Sequence, residues 1–154
     1  MKKLTLADYR ALAEFRYQIR KFFAFSDEAV QAAGLERAQY QVMLAIKGMP
    51  AGARPRIREL ASQLFVRHHS AVELVNRLEA GGYVRREQAD DDRREVLLVL
   101  TPKGEKVLAE LALHHHDELQ DAAPRLVAAL RRVMMGTKNG SEKQVHTAQR
   151  RGRD

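Results

Sequence analysis

Cysteine is absent from the 154 residues, and so is tryptophan. With no thiol there is no disulfide framework, no thiol redox switch and no Cys-ligated zinc or iron–sulfur site. Aromatic residues make up only 6% of the chain, so the core must come mainly from Leu, Val, Ala and Met, which favours a mostly helical fold. No uncharged apolar run approaches the roughly 20 residues that a bilayer-spanning helix needs. Met1-Lys2-Lys3-Leu4 looks like the basic start of a secretion signal, but Asp8, Arg10, Glu14 and Arg16 interrupt the segment behind it. A cytoplasmic protein is expected. Nucleophile-elbow, phosphate-loop and paired-carboxylate patterns are also missing, which argues against an enzyme, and nothing in the sequence implies a cofactor.

What is abundant is positive charge. Lys and Arg number 27 against 20 Asp and Glu, a net charge of +7, as expected of a protein attracted to polyanions. Charge alone does not choose among DNA, RNA and anionic lipid. The length suits one folded unit with one core. Of the histidines, His114, His115 and His116 are consecutive and diverge by about 100° each on a helix, so they do not converge on one metal ion. His68 and His69 have the same geometry, and no metal site is expected.

Periodicity divides the chain. Leu12, Phe15, Ile19, Phe22 and Phe23 recur at helical spacing from Leu6 to about Ala33, and Gly34 closes that helix. A second helix is predicted from Leu35 to Ile46, ended by Gly48-Met49-Pro50-Ala51-Gly52, and a short third from Ile57 to Leu64. A fourth, from His68 to Ala80, places Ala71, Leu74, Val75 and Leu78 on one face and ends at Gly81-Gly82. Tyr83 to Gln88 and Val96 to Thr101 read as strands of a hairpin with a charged tip. Thr101-Pro102 starts the next helix with a Thr N-cap and Pro at its first position, and Pro124 is expected to divide it in two. Beyond Met135 apolar periodicity stops, so 136–154 reads as a mobile basic tail. This order is mainly α with one β-hairpin: a winged helix-turn-helix over 35–101, enclosed by long helices over 1–34 and 102–135.

The major groove of B-DNA admits one α-helix, and the His68 helix has the free face for it. Arg67, His68, His69 and Ser70 at its start would reach the bases, and Arg77 would meet phosphate or an internal ion pair. The alternative is a plain solvated face, which the neighbouring short helix and hairpin make less attractive. At the tip, Asp92 and Arg94 lie two apart on an expected extended segment, where the carboxylate could fix an Arg inserted into the minor groove. A simple charged turn is the other reading. Arg56, Arg85, Arg86 and Arg93 would add phosphate contacts.

Ile57 to Val66, Ser70 to Val84, and Asp92-Arg93-Arg94 followed by Leu100-Thr101-Pro102-Lys103-Gly104 together resemble the MarR family of bacterial transcription regulators in order and spacing. The resemblance covers roughly Leu35 to Leu113. It implies a homodimer held by its terminal helices, two lobes on a pseudo-palindromic operator in double-stranded DNA, Arg94 in the minor groove and Asp92 orienting it. It also implies repression relieved by a small aromatic or anionic ligand. Arg16, Arg20, Phe23 and Tyr40 are the candidates for that pocket, with core and surface roles as the alternative. The sequence departs from the family in having Arg67-His68-His69 where Ser or Thr often opens the recognition helix. The family's cysteine-based oxidant sensing is excluded, and the missing Trp disfavours its urate-responsive branch. A rival function is a sequence-independent architectural DNA binder, for which charge, tail and wing would suffice.

Overall fold

The computed structural model describes residues 3–148, with side chains over 3–136. The described elements run α1 (Leu6–Ala32), α2 (Arg37–Lys47), α3 (Ile57–Gln63), α4 (His68–Ala80), β1 (Val84–Gln88), β2 (Val96–Leu100) and α5 (Pro102–Ala148). Contacts divide the chain into two compact units, Ser26–His115 and a second formed by the chain before and after it.

Local chemistry explains the element ends. Thr5 caps α1: its backbone N–H and hydroxyl both donate to the Asp8 carboxylate at 2.8 Å, and the Asp8 N–H donates back to the Thr5 hydroxyl. Gly34, at φ 76°, takes the left-handed conformation that lets the chain leave α1. At α5 the Gly104 N–H donates to the Thr101 hydroxyl at 3.0 Å, the expected N-cap bond with Pro102 at the first helical position.

In the Ser26–His115 unit the core joins Val30 and Leu35 to Val42 and Met43 of α2, Leu60 of α3, Val75 and Leu78 of α4, and Val84 and Leu98 of the hairpin. The predicted inward stripe of α4 is buried as a whole: Ala71, Leu74, Val75 and Leu78. Each buried Leu or Val contributes about 1.5–3 kcal/mol relative to exposure, so this stripe fixes the rotation of α4 and hence which side chains face outward. β1 and β2 pair antiparallel from Val84↔Leu100 to Gln88↔Val96. The Leu98 N–H donates to the Pro55 carbonyl at 2.8 Å, so the segment before α3 lies along the outer edge of β2. Sequence periodicity gave no sign of that third segment.

In the other unit the start of α1 lies beside Gly136 of α5, where a Cβ would come within 2.5 Å of Asp8 Oδ1. Ala11, Ala122 and Ala129 are buried here. The expected break at Pro124 does not occur, because α5 is one helix through it. Pro124 is exposed while Ala122 and Ala129 are anchored on the buried face. A proline in a helix interior removes one hydrogen bond, at about 3 kcal/mol, a loss confined to one turn, and the helix resumes beyond it. The backbone stays helical to Ala148, past the expected start of the tail at 136, since extending an existing helix is far easier than nucleating one. The last part of that tail, 149–154, lies outside the described residues.

Candidate nucleic-acid interface

Every polar residue assigned to the outer face of α4 is found there, because the apolar stripe occupies the other side. Arg67, His68 and His69 are exposed and Ser70 is half-buried. Arg67 is the N-cap in an extended conformation, φ −70° and ψ 151°, and its side chain makes no capping bond. The first amides of α4 therefore keep unspent donor capacity, on the helix end where the peptide dipole favours negative charge.

The wing differs from the extended tip expected from the sequence. The Glu95 N–H donates to the Asp92 carbonyl at 2.9 Å, closing a β-turn over Asp92-Arg93-Arg94-Glu95. The Asp92 carboxylate accepts from the Arg94 backbone N–H at 2.9 Å rather than pairing with its guanidinium. An Asp side chain readily captures the amide two residues on, and doing so here curls the tip out of the strand conformation the ion pair required. Asp92 thus contacts Arg94 at its backbone amide. Among the described residues Arg67, Arg93 and Arg94 have no ion-pair partner, and all three are exposed.

The remaining candidate cations are held by carboxylates. Arg77 pairs with Glu36 at 3.1 Å, the internal alternative left open for it. Arg85 pairs with Glu87 on its own strand, and Arg86 pairs with Glu79 and donates to Asn76 Oδ1 at 2.7 Å. Arg56 binds Glu95 at 2.6 Å and Glu59 at 3.2 Å, and its Nε is buried without a partner. Burial pulls the Glu59 carboxyl upward, but its own backbone amide and the Arg58 and Arg56 cations outweigh that and leave it below the ordinary carboxylate value. Two arginines were not singled out in the sequence. Arg54 binds both Asp91 and Glu95; hydrogen bonding to Arg54 lowers the Asp91 carboxyl, and the same bonds raise Arg54. Arg58, two residues beyond Arg56, projects with its side chain 77% exposed. No periodicity reports such pairs, which are set by the fold.

An open concavity of about 450 Å³ joins the two expected readers. Arg58 and His68 line it from α3 and α4, and Asp92 and Arg94 line it from the wing. Cationic and histidine side chains from both elements thus face one space.

The effector candidates are not gathered in the same way. Arg16, Arg20 and Phe23 are exposed on α1 in one unit, and Tyr40 is in the core of the other. Tyr40 Oη lies 2.9 Å from Nδ1 of buried His115, so Tyr40 takes the core alternative. Burial raises the Tyr40 hydroxyl and lowers His115, against a hydrogen bond with the Ser26 backbone that acts to raise it. Concavities of about 480 and 580 Å³ lie elsewhere, one lined by Ala29, Val107, Glu110 and His114 and the other by Arg10, Glu14, Arg132 and Met135. Among the described residues no cluster of three or more His, Cys, Asp or Glu is placed to hold a metal, and no helix is long and apolar enough to cross a membrane.

Two short helices at a tight turn, a hairpin against them and cations on both define a winged helix-turn-helix DNA-binding protein. Residues 33–95 match the model of the MarR family. A Thauera aromatica protein assigned to transcriptional regulation of the hcr operon is 30% identical over 121 residues, covering 79% of this chain and 71% of its own. AbsC, a MarR family transcriptional regulator from Streptomyces coelicolor, superposes with a TM-score of 0.67 at 22% identity, over 99% of this chain and 100% of its own. A mutant MarR from E. coli complexed with operator DNA has a TM-score of 0.58 at 24% identity, over 77% and 89%. The chain belongs to the MarR family of transcription regulators.

Proposed function

We infer that the chain works as a homodimer that recognises a pseudo-palindromic operator and represses transcription until a small aromatic or anionic effector binds. The observation that carries the DNA reading is the shared concavity: His68 at the start of α4 and Arg94 at the wing tip face the same space. A duplex seated there meets both, α4 in the major groove and Arg94 in the neighbouring minor groove. Arg67, His68, His69 and Ser70 read bases, and Arg93 touches backbone. Arg56, Arg77 and Arg85 reach phosphate only by exchanging a carboxylate partner for it.

Dimerisation is supported by the apolar side chains left in water on α1 and α5. Leu6, Tyr9 and Tyr17 on α1, and Met135 on α5, are each more than half exposed. A monomeric protein rarely leaves such a set uncovered, and a second copy of the same helices would cover it. Effector release is supported by exposed cations, Arg16 and Arg20, and an exposed ring, Phe23, on one helix. A cytoplasmic site of action follows from the same reading.

The test is Arg94→Ala on an inverted repeat found in the DNA beside the gene. Its loss is expected to weaken binding by about 1–3 kcal/mol while sedimentation still reports a dimer. Unchanged affinity rejects the minor-groove role of Arg94.

A further inference from the structure

We propose that Glu95 is the positioning residue of the wing: it clamps the hairpin to the segment before α3 and withholds Arg54 and Arg56 from DNA phosphates. The inference rests on the DNA-binding reading above.

Glu95 follows Arg94 directly and is tied in four directions. Its side chain, only 13% exposed, places Oε2 on Arg54 and Oε1 on Arg56. Its N–H closes the tip turn on Asp92, and its carbonyl accepts the Ala89 N–H at 3.0 Å where the tip loop leaves the strands. Arg54 reaches further along the tip to Asp91, and the Pro55 carbonyl accepts from Leu98 on β2. The tip is therefore fastened to the chain entering α3 by a carboxylate bridging two guanidiniums, a second carboxylate on one of them, and a backbone bond. Fork-shaped guanidiniums shared between carboxylates hold direction as well as charge, which isolated lysine pairs do not.

The charges explain why such a clamp matters for recognition. Arg54 and Arg56 sit among Asp91, Glu95 and Glu59, so two cations next to the binding surface are neutralised there. Phosphate contacts carry affinity for any duplex, whereas base and groove-width contacts carry preference. Neutralising this pair lowers the indiscriminate part of binding, and fixing the turn beside Arg94 preserves the selective part.

The experiment compares the whole protein with Glu95→Gln, which keeps side-chain size and loses the charge, by measuring binding to the inverted repeat and to a scrambled duplex across salt. Preference for the repeat is expected to fall by roughly tenfold. Binding to scrambled DNA is expected to strengthen, with log K falling more steeply against log salt by about one to two, the increment for one or two new phosphate contacts. Arg54→Gln opens the same clamp without freeing Arg54, so preference should fall with a smaller change in slope. A merely structural role would alter thermal stability and leave the slope alone. Wild-type preference and slope in Glu95→Gln overturn the proposal. If the wild type itself shows no preference for the repeat, the DNA reading fails, and the proposal falls with it.

Discussion

Gly104 stands on the third residue of α5, where a Cβ would lie 2.0 Å from the Tyr83 carbonyl oxygen. Ala is the better helix former by about 1 kcal/mol, so propensity alone predicts that Gly104→Ala stabilises. Contact decides otherwise: forcing a methyl against backbone should destabilise by about 1–3 kcal/mol, measured by urea unfolding. A more stable variant would mean that α5 does not approach Tyr83 so closely. Phe65 presents the reverse case. It lies between α3 and α4 at φ 54°, a region that disfavours bulky residues, with 97% of its surface exposed. The left-handed conformation costs about 1–2 kcal/mol and almost no burial offsets it. Phe65→Gly should therefore raise stability by about 0.5–1 kcal/mol after the extra chain entropy of glycine is subtracted. A lowered melting temperature would contradict that strain.

At the scale of elements, what could be read from the sequence was what neighbouring residues decide together. α4 occupies His68–Ala80 as predicted because its stripe and terminal glycines lie within thirteen residues. The start of α5 was legible for the same reason, in Thr101 and Pro102. Pro124 misled because its penalty is local, while the packing of Ala122 and Ala129 to either side of it is not. The pairing of α2 with α5 through Tyr40 and His115, 75 residues apart, was likewise invisible. The burial of His115 is expected to make stability depend on pH. Burial holds the folded His115 below its ordinary value of about 6.5, so in the window beneath that value the unfolded chain binds the proton more readily. The contribution is complete above about pH 6.5 and is lost as pH falls from there toward the folded value. Between about pH 7.5 and 5.5 the melting temperature should drop more for the wild type than for His115→Gln. Equal drops would place the titration elsewhere.

For the whole molecule, the candidate site was half legible. Residue types at the start of α4 and at the tip pointed to DNA, and the structure turns both toward one concavity. Which arginines are free was not legible, since Arg54 and Glu95 are 41 residues apart and meet only once the hairpin has folded. Operator recognition depends on dimeric use of the site, because one lobe reads only a short stretch of DNA. Two lobes related by symmetry require half-sites on the same face of the duplex, about one helical turn apart. The direct measurement is binding of the full chain, at physiological salt, to its inverted repeat, to the same repeat with about five base pairs inserted at the centre, and to a scrambled duplex. Symmetric binding by two lobes predicts preference of roughly 10³-fold or more for the native spacing over scrambled DNA, and loss of most of it on half-turn insertion. Equal binding to all three would contradict it and identify a sequence-independent DNA binder.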